Sequence, residues 1–255
     1  MSKPKIGIFG LTGCAGDQLV ILNCEDELLD LVGAVDIKDF LTASSVNDER
    51  AHLDIALVEG AVLSQRDEET LKKIRKRTSI VIALGTCAVW GGIAAMDRDF
   101  SRADLMKMVY GPLNWEYDTS PARALHEIVK VDLNITGCPI EKDQILESVA
   151  HLLNGNPPLL PDYAVCTECK MKENNCLLIE QGEICCGPLT VAGCGGRCPS
   201  LNIACAGCRG PATDSNFPSA LAMFREKGIP ASDIARKLRT FSPSKLTPNG
   251  LQEDS

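Results

Sequence analysis

Short apolar runs alternate with amphipathic stretches along the first half of the chain. Four runs have the length and composition of buried strands, and they span residues 5–9, 54–58, 79–84 and 133–136. Apolar residues at helical spacing mark the segments between or after them, which are 18–31, 66–77, 122–131 and 141–153. Buried strands that alternate with helices predict a mostly parallel sheet with helices on both faces.

Each predicted strand runs into a glycine-containing loop. Cys14, Cys87 and Cys138 follow three of the strands, and Glu59 follows another. Ligands of open α/β sheets bind beyond the carboxyl ends of the strands, so we expect these four residues at one edge of the sheet. The flanking glycines let the backbone approach a bulky ligand. The alternative is that the thiols are buried and act as small apolar side chains.

The second half of the chain is dominated by cysteine. After the turn-rich segment 154–158, nine cysteines fall within a short stretch: Cys166, Cys169, Cys176, Cys185, Cys186, Cys194, Cys198, Cys205 and Cys208. Two Cys-x-x-Cys pairs frame this set, and the number fits two four-ligand metal sites with one thiol to spare. Two zinc sites are the alternative to iron–sulfur clusters, and the glycine-rich interior favours the larger clusters.

Charge and cysteine content narrow the function further. The 255 residues carry 34 acidic and 26 basic side chains, and this net charge of −8 argues against a general nucleic-acid binder. Thirteen cysteines cannot all pair in disulfides. The first residues show no apolar leader and no twin arginine, so we expect a cytoplasmic location, where thiols stay reduced. The longest uncharged run, 80–96, is too short for a membrane span.

Together these motifs resemble the small subunit of [NiFe] hydrogenases, over nearly the whole length from Gly7 to Arg239. In the first half the resemblance is carried by Leu-Thr-Gly-Cys at 11–14, Val-Glu-Gly-Ala at 58–61, Gly-Thr-Cys at 85–87 and Thr-Gly-Cys-Pro at 136–139. In the second half it is carried by the cysteines of 166–185 and by the segment 194–211, which ends in Ala-Gly-Cys-Arg-Gly-Pro. The cytoplasmic, cofactor-coupled branch, with NADP-linked and sulfhydrogenase members, looks most similar.

The resemblance implies an electron-transfer subunit with three [4Fe-4S] clusters. A proximal cluster is expected on Cys14, Asp17, Cys87 and Cys138, with Glu59 beside it. A medial cluster is expected on Cys194, Cys198, Cys205 and Cys208. A distal cluster is expected on Cys166, Cys169, Cys176 and Cys185. No catalytic residue, nickel, flavin or nucleotide is expected in this chain.

The implied partners follow from the same resemblance. H₂ is split at a nickel–iron centre in a separate large subunit, and the electrons leave through a diaphorase-type subunit that carries flavin and further iron–sulfur clusters. No nucleic-acid partner is expected, and the chain is not expected to span a membrane. The chain would thus be one component of an H₂:acceptor oxidoreductase.

Three positions depart from the pattern of many family members. Cys166 stands where many have histidine, and Cys198 stands where many have proline, so both later clusters are expected to have four thiolate ligands. Asp17 stands where a second proximal cysteine is usual. A carboxylate can bind iron, although it is a harder donor than thiolate. The alternative for Asp17 is an exposed acid in the first turn of a helix, where it favours the helix dipole.

The predicted organisation has three parts. Residues 1–158 form a flavodoxin-like α/β domain, residues 159–241 a loop-rich iron–sulfur domain, and residues 242–255 a flexible tail. Cys24 and Cys186 are predicted to be thiols without a cluster. Two other functions stay open: a quinone-reductase subunit of the complex I type, which shares the first half but generally lacks the second, and a zinc-binding interaction module.

Overall fold

The computed structural model describes residues 3–24, 27, 33–96, 100–112 and 118–241. The chain divides into two compact units, Met1–Ile135 and Thr136–Ser255. This division precedes the predicted domain boundary at 158, because the helix over 142–153 belongs to the second unit. The predicted division at 158 and at 241 into functional domains stays a prediction. The predicted tail, 242–255, lies outside the described residues.

The first unit is built on a five-stranded parallel sheet. Its strands, in chain order β1 to β5, are Lys5–Gly10, Asp36–Asp39, Leu53–Glu59, Thr78–Leu84 and Leu133–Ile135. They are arranged in the order β2-β1-β3-β4-β5, and every neighbouring pair is parallel. This is the strand order of the flavodoxin-like sheet, and the predicted α/β class is confirmed.

One strand, β2, was not predicted from the sequence. Its four residues, Asp-Ile-Lys-Asp, contain a single apolar side chain, and the strand pairs only with β1 at the edge of the sheet. Lys38 forms an ion pair with the adjacent Asp36 at 2.8 Å between Nζ and Oδ2. An edge strand that is partly exposed does not need the apolar run that marks a central strand.

The sheet is accompanied by four helices whose two ends both lie in the described part of the first unit. They are α1 Gly16–Leu22, α2 Gln65–Lys76, α3 Gly85–Trp90 and α4 Arg102–Tyr110. Helix α2 begins at a capping box, in which the Asp67 backbone N–H donates to Ser64 Oγ and the Ser64 N–H donates to the Asp67 carboxylate. Its buried Leu71 and Ile74 pack in the core with the inward side chains of β3 and β4.

Two helix predictions in this unit need comment. The helix predicted over 122–131 is wrong, because the structure has only a 3₁₀ turn at Leu125–Glu127. Arg123 pairs with Val62 in a β-bridge, and the Glu127 carboxylate accepts from the Ala124 N–H, so the backbone is held in a local turn. The helix predicted over 18–31 begins at Gly16 and is described to Leu22, and residues 25–26 and 28–32 lie outside the described residues.

The second unit consists of short helices joined by cysteine-bearing loops. The helices are α5 Lys142–Leu153, α6 Val165–Met171, α7 Leu177–Gln181, α8 Arg197–Ser200, α9 Phe217–Glu226 and α10 Ala231–Arg239. Phe224, Ile234 and Leu238 form a small core in which Cys186 is also buried. None of the helices in the described ranges is long and apolar enough to cross a membrane.

Candidate metal centres

The carboxyl edge of the sheet brings together the predicted residues of the first unit. The loop after β1 carries the exposed Cys14, and β3 ends at the buried Glu59. Cys87 was expected in a loop, but β4 leads directly into α3, and Cys87 lies in the first turn of that helix. The order of strands reverses between β1 and β3, and this reversal is where such sheets bind ligands.

Two carboxylates are buried at this edge. Asp17, in the first turn of α1, is only 6% exposed, so it is not the exposed helix acid of the alternative hypothesis. Glu59 is 3% exposed, and its Oε2 accepts a hydrogen bond from the backbone N–H of Gln18 at 3.0 Å. This bond ties the end of β3 to the start of α1 and fixes the helix against the loop that carries Cys14.

The acidic groups at this edge act on the Cys87 thiol. Burial, followed by the negative charges of Asp17 and Cys14, raises the pKa of the Cys87 thiol to about 11, and Glu59 adds to the rise. A backbone N–H from Ile93 acts in the opposite direction. Without a metal the thiol therefore keeps its proton at neutral pH. A bound cation would replace that proton, since thiolate is the ligand form.

Gly85 leaves the space that the Asp17 carboxylate fills. The backbone at Gly85 has φ +77°, and a Cβ placed there would overlap Asp17 Oδ2. Glycine is therefore required at this position for two reasons: the backbone has a positive φ, and the Asp17 side chain approaches the backbone closely.

Gly85→Ala is accordingly expected to displace Asp17 and to lower the amount of metal bound at this edge. The matched control is Gly155→Ala, because Gly155 has φ +73° but open space around the position of a Cβ. Both variants carry a similar conformational cost of about 1–2 kcal/mol. Metal content and denaturant midpoint measured on both variants separate the two effects. Equal metal loss in both would contradict the proposed role of Gly85.

Cys138 follows β5 in the sequence but belongs to the second unit. It is exposed, and a cis peptide bond joins it to Pro139. Within the second unit its backbone N–H donates a hydrogen bond to the Cys208 thiol. The segment that carries this predicted proximal ligand is thereby tied to a predicted medial ligand.

The four predicted distal ligands surround one cavity. Cys166 and Cys169 lie on α6, Cys176 is the N-cap of α7, and Cys185 lies in the loop that follows. All four line a cavity of about 170 Å³, whose other walls include Leu177, Leu178 and Pro188. A water molecule takes up about 30 Å³, so the cavity has room for a polyatomic group.

The sulfurs around this cavity also act on one another electrostatically. Burial, followed by the neighbouring thiolates of Cys185, Cys169 and Cys176, raises the pKa of the Cys166 thiol to about 12. Four thiols around an apolar cavity are a soft donor set of the kind that iron–sulfur clusters use.

Three of the four predicted medial ligands converge in the same way. Burial raises the pKa of Cys208, and the thiolates of Cys194 and Cys198 raise it further. The fourth predicted medial ligand, Cys205, lies instead beside Cys185, a predicted distal ligand. Its backbone N–H donates to Cys185 Sγ at 3.3 Å, and burial followed by the charges of Cys186 and Cys185 raises the pKa of its thiol.

Cys24 and Cys186, the two thiols predicted to lack a cluster, are both fully buried. Cys24 Sγ donates to the Val20 carbonyl at 3.3 Å, and Cys186 packs among the core residues of the second unit. All 13 cysteines lie in the described ranges, and none of them forms a disulfide there. Within those ranges, no group of three or more His, Cys, Asp or Glu side chains is arranged to hold a single metal ion.

Comparison with known proteins assigns this chain to a family. Residues 14–152 match the family model of the NADH ubiquinone oxidoreductase 20 kDa subunit, which is more than half of the chain. The chain belongs to that family. The match begins at Cys14, includes Cys87 and Cys138, and ends before the nine cysteines of the second half.

Proteins similar to the chain include hydrogenase subunits. The sulfhydrogenase 2 subunit delta of Pyrococcus furiosus is 39% identical over 93% of this chain and 99% of its own length. The NAD-reducing hydrogenase HoxS subunit delta of Cupriavidus necator is 34% identical over 62% of this chain and 83% of its own. A chain in the crystal structure of an NAD⁺-reducing [NiFe]-hydrogenase aligns with a TM-score of 0.54 and 27% identity, over 62% of this chain and 96% of that one. The predicted resemblance to [NiFe] hydrogenase small subunits is confirmed.

Proposed function

We propose that this protein is the electron-transfer small subunit of a multi-subunit [NiFe] hydrogenase. The observation that supports this most strongly is the convergence of four thiols on one apolar cavity, in a chain whose similarity to a sulfhydrogenase subunit extends over 93% of its length. Electrons would pass between the nickel–iron centre of a large subunit and an external acceptor through three iron–sulfur clusters.

The proximal cluster is proposed to bind to Cys14, Asp17, Cys87 and Cys138. The convergence of Cys14, Asp17 and Cys87 at the carboxyl edge of the sheet supports this set, and Cys138 enters on the sequence motif alone. Glu59 is proposed to lie beside this cluster rather than on it, because its carboxylate already accepts a backbone hydrogen bond.

The later clusters are proposed to be of the four-iron type. The distal cluster binds to Cys166, Cys169, Cys176 and Cys185, and the medial cluster to Cys194, Cys198, Cys205 and Cys208. Iron–sulfur clusters supply reversible one-electron transfer. The chain's own residues hold the sulfurs at fixed positions, keep water away through the apolar wall, and donate backbone N–H groups to ligand sulfurs, as Gly187 and Cys205 do at Cys185.

The proposed partners follow from this role. A large subunit carries the nickel–iron centre, and a diaphorase-type subunit takes the electrons to NAD(P) or another carrier. We propose a cytoplasmic location because 13 cysteines without a disulfide among the described residues are typical of a reducing compartment. Neither nickel, flavin nor nucleotide is assigned to this chain.

A complex I-type quinone-reductase subunit is the second candidate, because the family model that matches residues 14–152 carries that name. The eight proposed ligands of residues 166–208 lie outside this match. A quinone reductase would reduce quinone with NADH and show no response to H₂. Reduction of the clusters by H₂ in the purified complex distinguishes the two candidates.

Metal analysis of the anaerobically purified complex tests the cluster proposal. After subtraction of the partners' metals, this chain is expected to hold about twelve irons, without zinc or nickel, and to be brown. The acid-labile sulfide of the complex, after the same subtraction, should match this amount of iron. Two zincs and no sulfide would instead identify a zinc-binding module.

A further inference from the structure

Arg209, which follows the proposed ligand Cys208, is a buried cation with an unused hydrogen-bond donor. Only 3% of the surface of Arg209 is exposed. Nε donates to the Ala192 carbonyl at 2.9 Å, and Nη2 donates to Gln144 Oε1 at 2.6 Å. Nη1 is buried and has no hydrogen-bond partner. Buried donors are normally satisfied, so this nitrogen needs an explanation.

The charge of Arg209 also lacks a direct partner. Among the described residues, no carboxylate lies within ion-pairing distance of its guanidinium. The Glu141 carboxylate pairs with Arg197 at 2.6 Å. The Glu168 carboxylate accepts the backbone N–H groups of Gly193 and Gly196, at 2.7 and 3.1 Å. Both acids act on Arg209 only through space.

Two proposed medial ligands lie next to Arg209 in the chain or in space. Cys208 precedes it, and Arg209 Nη2 lies against Gly193, the residue before Cys194, where an added Cβ would be 2.7 Å away. Arginine stays protonated throughout the physiological range. With neutral thiols around it, this buried charge would be uncompensated, which is strongly unfavourable. A four-iron cluster on four thiolates carries a net negative charge and would supply the missing partner.

We propose that Arg209 is the hydrogen-bond donor and fixed positive charge of the medial cluster, and that it raises the reduction potential of that cluster. The inference rests on the medial cluster of the proposed function. Arg209 is a positioning and tuning residue: the cluster takes up one electron and releases one electron, while the guanidinium keeps its proton throughout. Gln144 and the Ala192 carbonyl hold the guanidinium plane in place.

The direction of the effect follows from electrostatics. Reduction adds a negative charge to the cluster, and a nearby cation stabilises the reduced form more than the oxidised form. Hydrogen bonds to cluster sulfurs act in the same direction. Loss of Arg209 should therefore make the medial cluster harder to reduce.

The test is a redox titration of the complete complex, with the medial cluster followed by electron paramagnetic resonance. In Arg209→Gln the ratio of reduced to oxidised medial cluster, at the wild-type midpoint, is expected to fall about tenfold, equivalent to 59 mV for a one-electron couple. Arg209→Lys keeps the charge and is expected to restore most of this shift.

Arg197→Gln is the matched control. It removes the same charge from a residue adjacent to another proposed medial ligand, Cys198, but the Arg197 side chain is 62% exposed. Solvent and salt screen an exposed charge, so the midpoint is expected to stay near that of the wild type. An equal shift in Arg197→Gln and Arg209→Gln would overturn the specific role of Arg209.

Iron content, measured first, separates failure of the inference from failure of the proposed function. A wild-type complex without a medial cluster would refute the proposed function itself. A complete cluster in Arg209→Gln with an unchanged midpoint would overturn only the inference. Should Arg209→Gln not accumulate, pulsed resonance on the wild-type complex with ¹⁵N-labelled arginine decides. A nitrogen coupling to the reduced medial cluster supports the proposal, and its absence overturns it.

Discussion

Complexes that carry Cys185→Ala are expected to lose at least one iron and to stop passing electrons from H₂ to the external acceptor. Cys185 is one of four thiols around the distal cavity, and its removal leaves one iron without a thiolate. Exchange of D₂ with solvent protons should persist, because it needs only the nickel–iron centre of the large subunit. Iron analysis, acceptor reduction and isotope exchange on one preparation check all three expectations.

Cys186→Ala is the matched control, since the adjacent thiol is fully buried but points into the core around Phe224 and Leu238. It is expected to retain all its iron and its acceptor activity, with a loss of stability of about 1 kcal/mol. Iron loss in Cys186→Ala together with full iron in Cys185→Ala would show that the two neighbours had been assigned the wrong way round.

Asp17→Ala is expected to change the proximal cluster alone. The carboxylate is buried beside Cys87 and cannot be replaced by a side chain without a donor. The site should then hold a cluster of about three irons, or a four-iron cluster in which water replaces the carboxylate on one iron. Asp17→Cys should give an ordinary four-thiolate cluster with a shifted potential, because thiolate is a softer donor than carboxylate. Mössbauer spectra and a redox titration of the complex measure both changes.

Glu59→Gln provides the comparison for Asp17. Glu59 is an equally buried acid at the same edge of the sheet, and glutamine can still accept from the Gln18 N–H. All irons should remain in this variant. The assignment of Asp17 as a ligand fails if the proximal spectrum of Asp17→Ala matches that of the wild type.

The central strands and two of the helices could be predicted from the sequence because burial leaves a direct pattern. β1, β3 and β4 are apolar runs, and α2 and α5 carry apolar residues at helical spacing. The edge strand β2 left no such pattern, since it is half exposed and polar. The apolar spacing over 122–131 reflects burial against the sheet in a bridge and a 3₁₀ turn, which spacing cannot distinguish from a helix.

Some features of the candidate site could likewise be predicted from the sequence, and others could not. Cysteine spacing indicated two four-ligand sites in the second half, and the resemblance to hydrogenase small subunits indicated that the thiols of 166–185 gather. It gave no sign that Arg209 is buried, since one arginine after a cysteine is usually solvated and only the packing of Gln144 and Ala192 encloses it. Nor did it place Cys205 against Cys185, a contact between residues distant in sequence.

The hydrogen bond from the Cys205 amide to Cys185 Sγ has a consequence for how electrons travel. It joins a proposed medial ligand to a proposed distal ligand through the backbone, so with both clusters bound it would provide a bonded path between them. The same bond would then couple the two centres electrostatically. Negative charge added at the distal sulfurs would strengthen the bond and be felt at the medial ligand. Filling one centre should therefore lower the electron affinity of the other, and the pair should behave as a relay that rarely holds two electrons at once.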